Sequence, residues 1–485
     1  MDIPLIGEVL QIEDAEPEEA GPSYAVDVPS IEEESGGPNW GSLPDIAVTQ
    51  IASYLLPWEK GRMGVTCQNW NRIIMSTPHL WRSAEMRFRG NFNDFEHVIY
   101  TRSVGRYLKN LYIYGGVRIC RRPTRFQRTF TAMLHNLYRQ GPVQLKEFSI
   151  TELQFQHQFR NGISGSGSHA RSGIIRSLNR FLRFQTQLER LDLSYATLTL
   201  NEGVSLIRSA GDRSSHKLKF LFLDDYFERD APVAVGSEFA NTIGRFQALV
   251  DLTLNYGFVT DLLLTKLGDS CRKSLEYIHI RTHRCDSYQH AVDSSCWHGI
   301  RQNIPGLRVK FTMNGVLKIN DIQRLLVTSM PLESVHIYGH NDDGYHPDRT
   351  AKHLARHYHD TLRKVVIDVG PVYRSYSRGL ISLVTESKLL RYLEIHGRVA
   401  WTTLREIFEH IDEEYLKKNL VPSLTKFHTV LTCFAPQEEP EAEVLVMEEF
   451  RPRFTQHNLD YEVTVDPIYP VPLLGPNPHL MAVFW

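Results

Sequence analysis

Long apolar runs are missing from this 485-residue chain: no stretch approaches 18 consecutive apolar residues, so no membrane-spanning helix is expected. Cysteine is scarce as well. The six at positions 67, 120, 271, 285, 296 and 433 include no C-x-x-C pair and fall far below the density of a disulfide scaffold. They fit reduced thiols in the cytoplasm or nucleus. Basic residues are absent from residues 1–40, which carry 11 acidic ones. A secretory signal would be basic and then apolar, so none is expected here. With few aromatics and much Pro, Gly and Ser, this acidic leader cannot bury enough surface to offset chain entropy, and disorder is expected over 1–40. The remaining chain holds 54 basic and 45 acidic residues, a net of +9, too dilute over that length to imply nucleic acid. Neither nucleic acid nor a membrane is an expected partner.

Catalytic signatures are missing too. His353-Leu-Ala-Arg-His357 has the i, i+4 histidine spacing of a helical zinc site but lacks the glutamate of H-E-x-x-H. His279, His283 and Cys285 cluster without a second ligand pair at zinc-finger spacing. Gly165-Ser-Gly-Ser168 has no following Gly-Lys-Ser/Thr, so it is no phosphate loop, and no G-x-S-x-G elbow occurs. The expectation is a non-enzyme with no metal and no cofactor.

What is present begins at Ser42. Leu43-Pro44-Asp45-Ile46 leads into Ile51 and Leu55, then Val65-Thr66-Cys67-Gln68-Asn69-Trp70, and the stretch closes on Leu80-Trp81 near Phe88. Apolar residues recur at helical spacing in short pieces. Pro44 suits a first helical turn, Pro57 with the Glu59-Lys60-Gly61 run separates a second helix, and Thr77-Pro78 ends a third. Three short helices hold more apolar side chains than they can hide, so a partner is expected to cover the surplus. The segment resembles an F-box, the module that docks a substrate receptor onto the Skp-family adaptor of a cullin–RING ubiquitin ligase. Thr66 and Gln68 depart from the usual valine and basic residue without removing an anchor. The resemblance implies that Leu43, Pro44, Ile46, Ile51, Leu55, Val65, Cys67, Trp70, Leu80 and Trp81 form the adaptor-binding surface or its supporting core.

Beyond the F-box the chain repeats. An L-x-x-L-x-L pattern recurs at Leu108/Leu111/Ile113, Leu145/Phe148/Ile150, Leu188/Leu191/Leu193, Leu218/Leu221/Leu223, Leu249/Leu252/Leu254 and Leu275/Ile278/Ile280. It continues at Leu332/Val335/Ile337, Leu362/Val365/Ile367 and Leu390/Leu393/Ile395, with degenerate forms at Val309/Phe311/Met313 and Leu424/Phe427/Thr429. Amphipathic helical stretches such as Ile174–Phe184, Thr260–Leu267, Ile322–Val327, Leu380–Thr385 and Thr403–Ile411 lie between. A strand plus a helix at this period buries its apolar face only by stacking on neighbours. The expected fold is therefore α/β: a short three-helix F-box followed by an irregular leucine-rich-repeat solenoid, with a parallel sheet on the concave face and helices on the convex one. Leu111, Leu191, Leu221, Leu252, Ile278, Val335, Val365 and Leu393 are expected in one buried column. Asn161–Ser168 and Arg121-Arg122-Pro123 read as loops, and Tyr461–Val465 as a final strand. The expected divisions are 1–40, 41–88 for the F-box, 89–435 for the solenoid, and 436–485 for an acidic break and capping tail.

Side chains alternate along a strand, so the residue between the last two apolar positions faces away from the core. That column reads Tyr112, Ser149, Asp192, Phe222, Thr253, His279, Lys310, His336, Val366, Glu394 and His428. Its later half is rich in the Tyr, His and Arg favoured at protein interfaces. Tyr277, His279, Arg281, His336, Tyr338, Tyr392 and His396 are the expected substrate-binding residues, with Arg281 offering donors to an anion and the histidines titrating near pH 6–7. Taken whole, the chain resembles F-box-only proteins with irregular leucine-rich repeats. This implies a non-catalytic substrate receptor that joins an unknown protein substrate to a Skp adaptor and, through it, a cullin–RING core. The competing reading is a non-ligase repeat scaffold whose F-box-like helices only cap the array.

Overall fold

The computed structural model describes residues 40–433, 450 and 460–467, apart from 91, 116–121, 140, 142, 156–165, 230–235, 285, 287–289, 317, 340–344, 370–375, 398, 400 and 419–423. The acidic leader to residue 39, the 436–449 break and the tail from 468 lie outside the described residues.

Three helices open the described chain: α1 (Asp45–Ser53), α2 (Pro57–Thr66) and α3 (Gln68–Ser76). Pro44 stands one residue before α1 rather than in its first turn, and its carbonyl accepts from Val48 N–H at 3.1 Å. Pro57 does not break a helix but begins α2, where a missing N–H leaves nothing unpaired. Glu59-Lys60-Gly61 accordingly lies inside α2. The Glu59 carboxylate reaches back to accept from Leu56 N–H at 2.8 Å, stabilising that start. Cys67 caps α3, its Sγ accepting from Trp70 N–H at 3.4 Å. Val48, Ala52, Met63, Ile73, Ile74, Leu80 and Trp81 form a small core of their own. Trp81 is 3% exposed and its Nε1–H donates to Ile74 O at 2.8 Å. A buried indole is thereby satisfied.

β1 (Ser83–Phe88) then starts one sheet of thirteen parallel strands laid down in sequence order. The next strands are β2 (Asn110–Gly115), β3 (Glu147–Thr151), β4 (Arg190–Asp192), β5 (Phe220–Leu223) and β6 (Asp251–Asn255). β7 (Tyr277–His283), β8 (Arg308–Asn314), β9 (Leu332–Tyr338) and β10 (Lys364–Asp368) follow. The last three are β11 (Tyr392–Gly397), β12 (Lys426–Cys433) and β13 (Asp460–Pro467). Helices such as Ser166–Arg183, Leu200–Ser214, Asp261–Ser270, Pro347–Tyr358 and Trp401–Lys418 connect them. Two expected loops prove partly helical. Pro123 begins a helix to Arg139 that buries Phe126, Phe130, Met133, Leu134 and Leu137, and Ser166–Ser168 open the helix that runs to Arg183.

The arrangement is an α/β solenoid. Strands β2, β5, β7, β8 and β11 alternate half-buried and buried residues, the period-2 pattern of a sheet with one covered face. Inward strand residues and helix residues from Ala84 to Phe450 form one continuous core. Many repeats dock in the same way: two successive N–H groups share the carbonyl that precedes the neighbouring strand, as Lys109 and Asn110 do on Arg82 O, and Arg391 and Tyr392 on Arg363 O.

The sheet is not in uniform register. Val309 pairs with Leu332 but Lys310 pairs with Ser334, which leaves Glu333 as the extra residue of a bulge. All eight expected side chains are buried in the one core, yet in two columns rather than one. Leu111, Leu191, Leu221, Leu252 and Ile278 continue into Val309 and Leu332. Val335, Val365 and Leu393 instead continue Ile280 and Phe311. The register slips by one residue, and the bulge absorbs it within β9, so Leu332, Val335 and Ile337 all stay buried.

Candidate functional site

Two surfaces stand out, one on the helical head and one on the open face of the sheet. On the head, Ile46 is 83% exposed, Val65 60% and Ile51 43%, and Pro44 is exposed beside them. Tyr54, Leu56 and Trp58, which sequence reading did not place on the adaptor face, are also exposed, the first two on the turn after α1 and Trp58 in the first turn of α2. Their signal was present: three large apolar residues flank the proline that starts α2. Leu43, Leu55 and Trp70 are half-buried against the head's core, and Cys67 is half-buried as the α3 cap. Leu80 and Trp81 are buried, so they support the surface from beneath. Lys60, buried within α2, donates to Leu80 O at 3.0 Å, and its ammonium lies 5.9 Å from the Trp81 ring. The ten expected residues thus divide between an exposed apolar face and the core that holds it.

On the sheet, the bulge at Glu333 rearranges the expected column. His279 and Lys310 are followed by Ser334, Lys364, Tyr392 and Lys426. His336 sits one row further on, after Arg281 and Thr312 and before Val366, Glu394 and His428. Tyr338 and His396 share a third row with Asp368 between them. The seven expected residues therefore occupy one face but four rows, Tyr277 pairing with Arg308 in the fourth.

Beside the bulge lies a cavity of about 450 Å³ lined by His279, Lys310, Thr312, Glu333, Ser334, His336, Arg363, Lys364, Arg391 and Tyr392. Four fixed cations face one carboxylate there. Glu333 is itself shared, 3.4 Å from Arg308 and 3.7 Å from Arg363. Lys310 and Lys364 rest over the faces of Tyr277 and Tyr392, 4.3 and 4.5 Å from the ring centroids, which holds their ammonium groups in place. Sequence reading missed Lys364, Arg363 and Arg391, because only the shifted register brings them to one opening.

Two sequence expectations change here. Arg281 does not offer a free fork: its Nη1 donates to the Tyr195 hydroxyl at 2.6 Å and lies 3.2 Å from Asp224. His336 is not poised near pH 6–7. Burial first, and then the positive charge of Lys364 and Lys310, push its imidazole down to about 4, so it is neutral at physiological pH. The paired helical histidines are structural: His353 is buried, its Nε2 lies 3.3 Å from Leu326 O, and burial pushes it to about 4. No described helix is long and apolar enough to cross a membrane.

Against known families, a model described as F-box-like matches residues 40–87, spanning the three helices and the strand start that follows. An F-box-like domain is therefore present at the head. Such domains imply binding to adaptors of the Skp1 type and a role in the SCF ubiquitin-ligase pathway, where proteins that carry them are generally non-catalytic substrate adaptors.

Proposed function

We propose that this protein is the substrate-recognition subunit of an SCF-type (Skp–cullin–F-box) ubiquitin ligase, acting in the cytoplasm or nucleus. The head, residues 41–88, docks on a Skp-family adaptor and through it on a cullin–RING core. The repeats over 89–435, read as irregular leucine-rich repeats, hold a protein substrate on the open sheet face. The chemistry belongs to other subunits, and this chain contributes proximity by raising the local concentration of substrate.

The observation that carries the reading is the coincidence of the F-box-like match with a face on which Ile46, Ile51, Tyr54, Leu56, Trp58 and Val65 remain in water. Covering one such side chain contributes about 1.5–3 kcal/mol. A partner that covers several gains a stable interface, and an adaptor of the Skp class is the partner that the domain implies. Substrate contact falls to Tyr277, His279, Tyr338, Tyr392 and His396, with neutral His336 and the Lys310/Lys364 cavity drawing an acidic segment of the substrate.

The test is co-purification of adaptor and cullin with the full chain, compared with an Ile51→Asp/Val65→Asp variant. Both positions are exposed, so the variant should keep the wild-type melting curve and lose at least about 30-fold in adaptor affinity, the scale of a hot-spot loss. Undiminished adaptor capture by the variant, or none by the wild type, would leave the helices as a cap on a scaffold.

A further inference from the structure

Glu394 and His396 stand two residues apart on β11, and His428 on β12 is in register with Glu394, so three side chains of metal-ligand type rise from one corner of the open sheet face. His396 Nε2 lies 3.0 Å from Glu394 Oε1, and the candidate donor atoms of Glu394, His396 and His428 all lie within 4.8 Å of one another. Tetrahedral bonds of about 2.0–2.2 Å separate donor atoms by about 3.4 Å. The observed spacing brackets that value, and small side-chain rotations close the difference.

The surroundings are those of a built site. Tyr392 Oη–H donates to Glu394 Oε2 at 2.6 Å, which fixes the carboxylate and leaves Oε1 toward His396. Asp368 Oδ1 lies 3.7 Å from His396 Nδ1, the place from which a second carboxylate orients a ligating imidazole and sets its tautomer. Glu462, exposed on β13, brings Oε2 to 3.6 Å from His428 Nε2 and is within reach as a fourth ligand. No other group of three such residues among those described brings its donors this close.

We propose that Glu394, His396 and His428 form a zinc-class divalent-cation site that ties β11 to β12 and, through Glu462, to β13. Imidazole and carboxylate donors suit zinc and the borderline metals near it. The site lies within the proposed substrate face and shares His396 with it, and the fourth position is filled by Glu462 or open to a ligand. Its failure would leave the adaptor reading untouched.

The experiment uses the chelator-stripped full chain titrated with zinc by calorimetry, and with cobalt by absorption. One metal per chain should bind, and the thermal midpoint should rise with zinc. His396→Gln and His428→Gln should each weaken binding at least 10-fold. Asp368→Asn, which alters the carboxylate beside the His396 imidazole, should weaken it by about 10–100-fold without changing the stoichiometry. Melts in excess chelator, matched to wild type, establish that each variant is folded, and Glu394→Gln serves if a histidine variant is not. A wild-type chain that takes up no zinc overturns the proposal, as does unchanged binding in the His396→Gln/His428→Gln double variant. A thiolate charge-transfer band in the cobalt form also overturns it, by moving the metal to cysteine.

Discussion

The helical head and the solenoid solve the same problem of apolar surplus in opposite ways. Between residues 40 and 65 the chain exposes Trp40, Ile46, Ile51, Tyr54, Leu56, Trp58 and Val65, whereas the rest of the described chain exposes only Phe95, Ile99, Tyr195, Leu262, Tyr338 and Leu389 among its large apolar side chains. The head's core is seven or eight side chains on short helices, and the solenoid's runs unbroken from β1 past β12. A stacked repeat finds its partner in the next repeat of the same chain. A three-helix unit has no next repeat, so what it cannot bury becomes a binding surface. The two cores meet where Tyr100 packs on both.

The hardest test of this independence is Trp81→Ala. Removing a buried Trp should destabilise the head by about 3–5 kcal/mol. Two calorimetric transitions are expected, of which only the smaller moves. If the whole chain shifts as one transition, the two cores fold together and the contrast dissolves.

The solenoid's own weak point is electrostatic. Arg171 is largely buried and bridges two repeats, its Nε donating to Glu202 at 2.9 Å and its Nη2 to Glu228 at 3.0 Å. Arg171→Ala leaves two half-buried carboxylates without their shared cation, and about 2–4 kcal/mol is expected from such a break. Burial alone pushes Glu202 up, but its bonds from Arg171 and Thr199 outweigh burial and hold it below the usual range. Its contribution is then complete above the ordinary carboxylate value near ~4.3 and is lost as pH falls through the lowered one. Chemical denaturation from pH 7 to 3 should show the wild type losing more stability than the variant, so that the curves converge in acid. Parallel curves would remove the pair from the account.

The smallest effect concerns His336, which faces Lys310, Lys364, Glu394 and His279. Its folded value of about 4 lies below the ordinary ~6.5, so the unfolded chain takes up the proton first as pH falls. The solenoid should be at full strength above pH ~6.5 and lose stability from there toward 4. His336→Gln should flatten that part of the melting profile. An unchanged profile, or an imidazole found by NMR to titrate near 6.5, would show that neither burial nor the cations depress it.

Much of this was readable from residues alone. The spacing of Leu43, Ile51, Leu55, Trp70 and Trp81 marks the head, and the recurring L-x-x-L-x-L marks the strands, because both periodicities follow directly from which side must be dry. The slip at β8–β9 was not readable. Leu332 is apolar and fits either column, so the pattern looks uninterrupted, and only strand pairing reveals Glu333 as surplus. Everything that depends on rows rather than faces went astray with it: His336 in its neighbours' column, and Lys310 apart from Lys364. Arg281 was misjudged for a different reason. Asp224 and Tyr195 lie 57 and 86 positions away, and no local pattern announces such partners.

That one extra residue behaves like an edge dislocation in a lattice. A row followed by eye across β7 and β8 arrives on β9 at a residue two positions earlier in its strand than the repeat motif alone would indicate. An extended ligand lying across the strands would therefore read His279, Lys310, Ser334, Lys364 and Tyr392 as one line, although the motif files them under two different slots. Deleting Glu333 would remove the fault without moving a pair, because Val309 would stay opposite Leu332, Lys310 opposite Ser334 and Phe311 opposite Val335. The line across the open face would be straightened rather than rewritten, so the core and the recognition rows would both keep their partners while the local kink and extra twist of the bulge were lost.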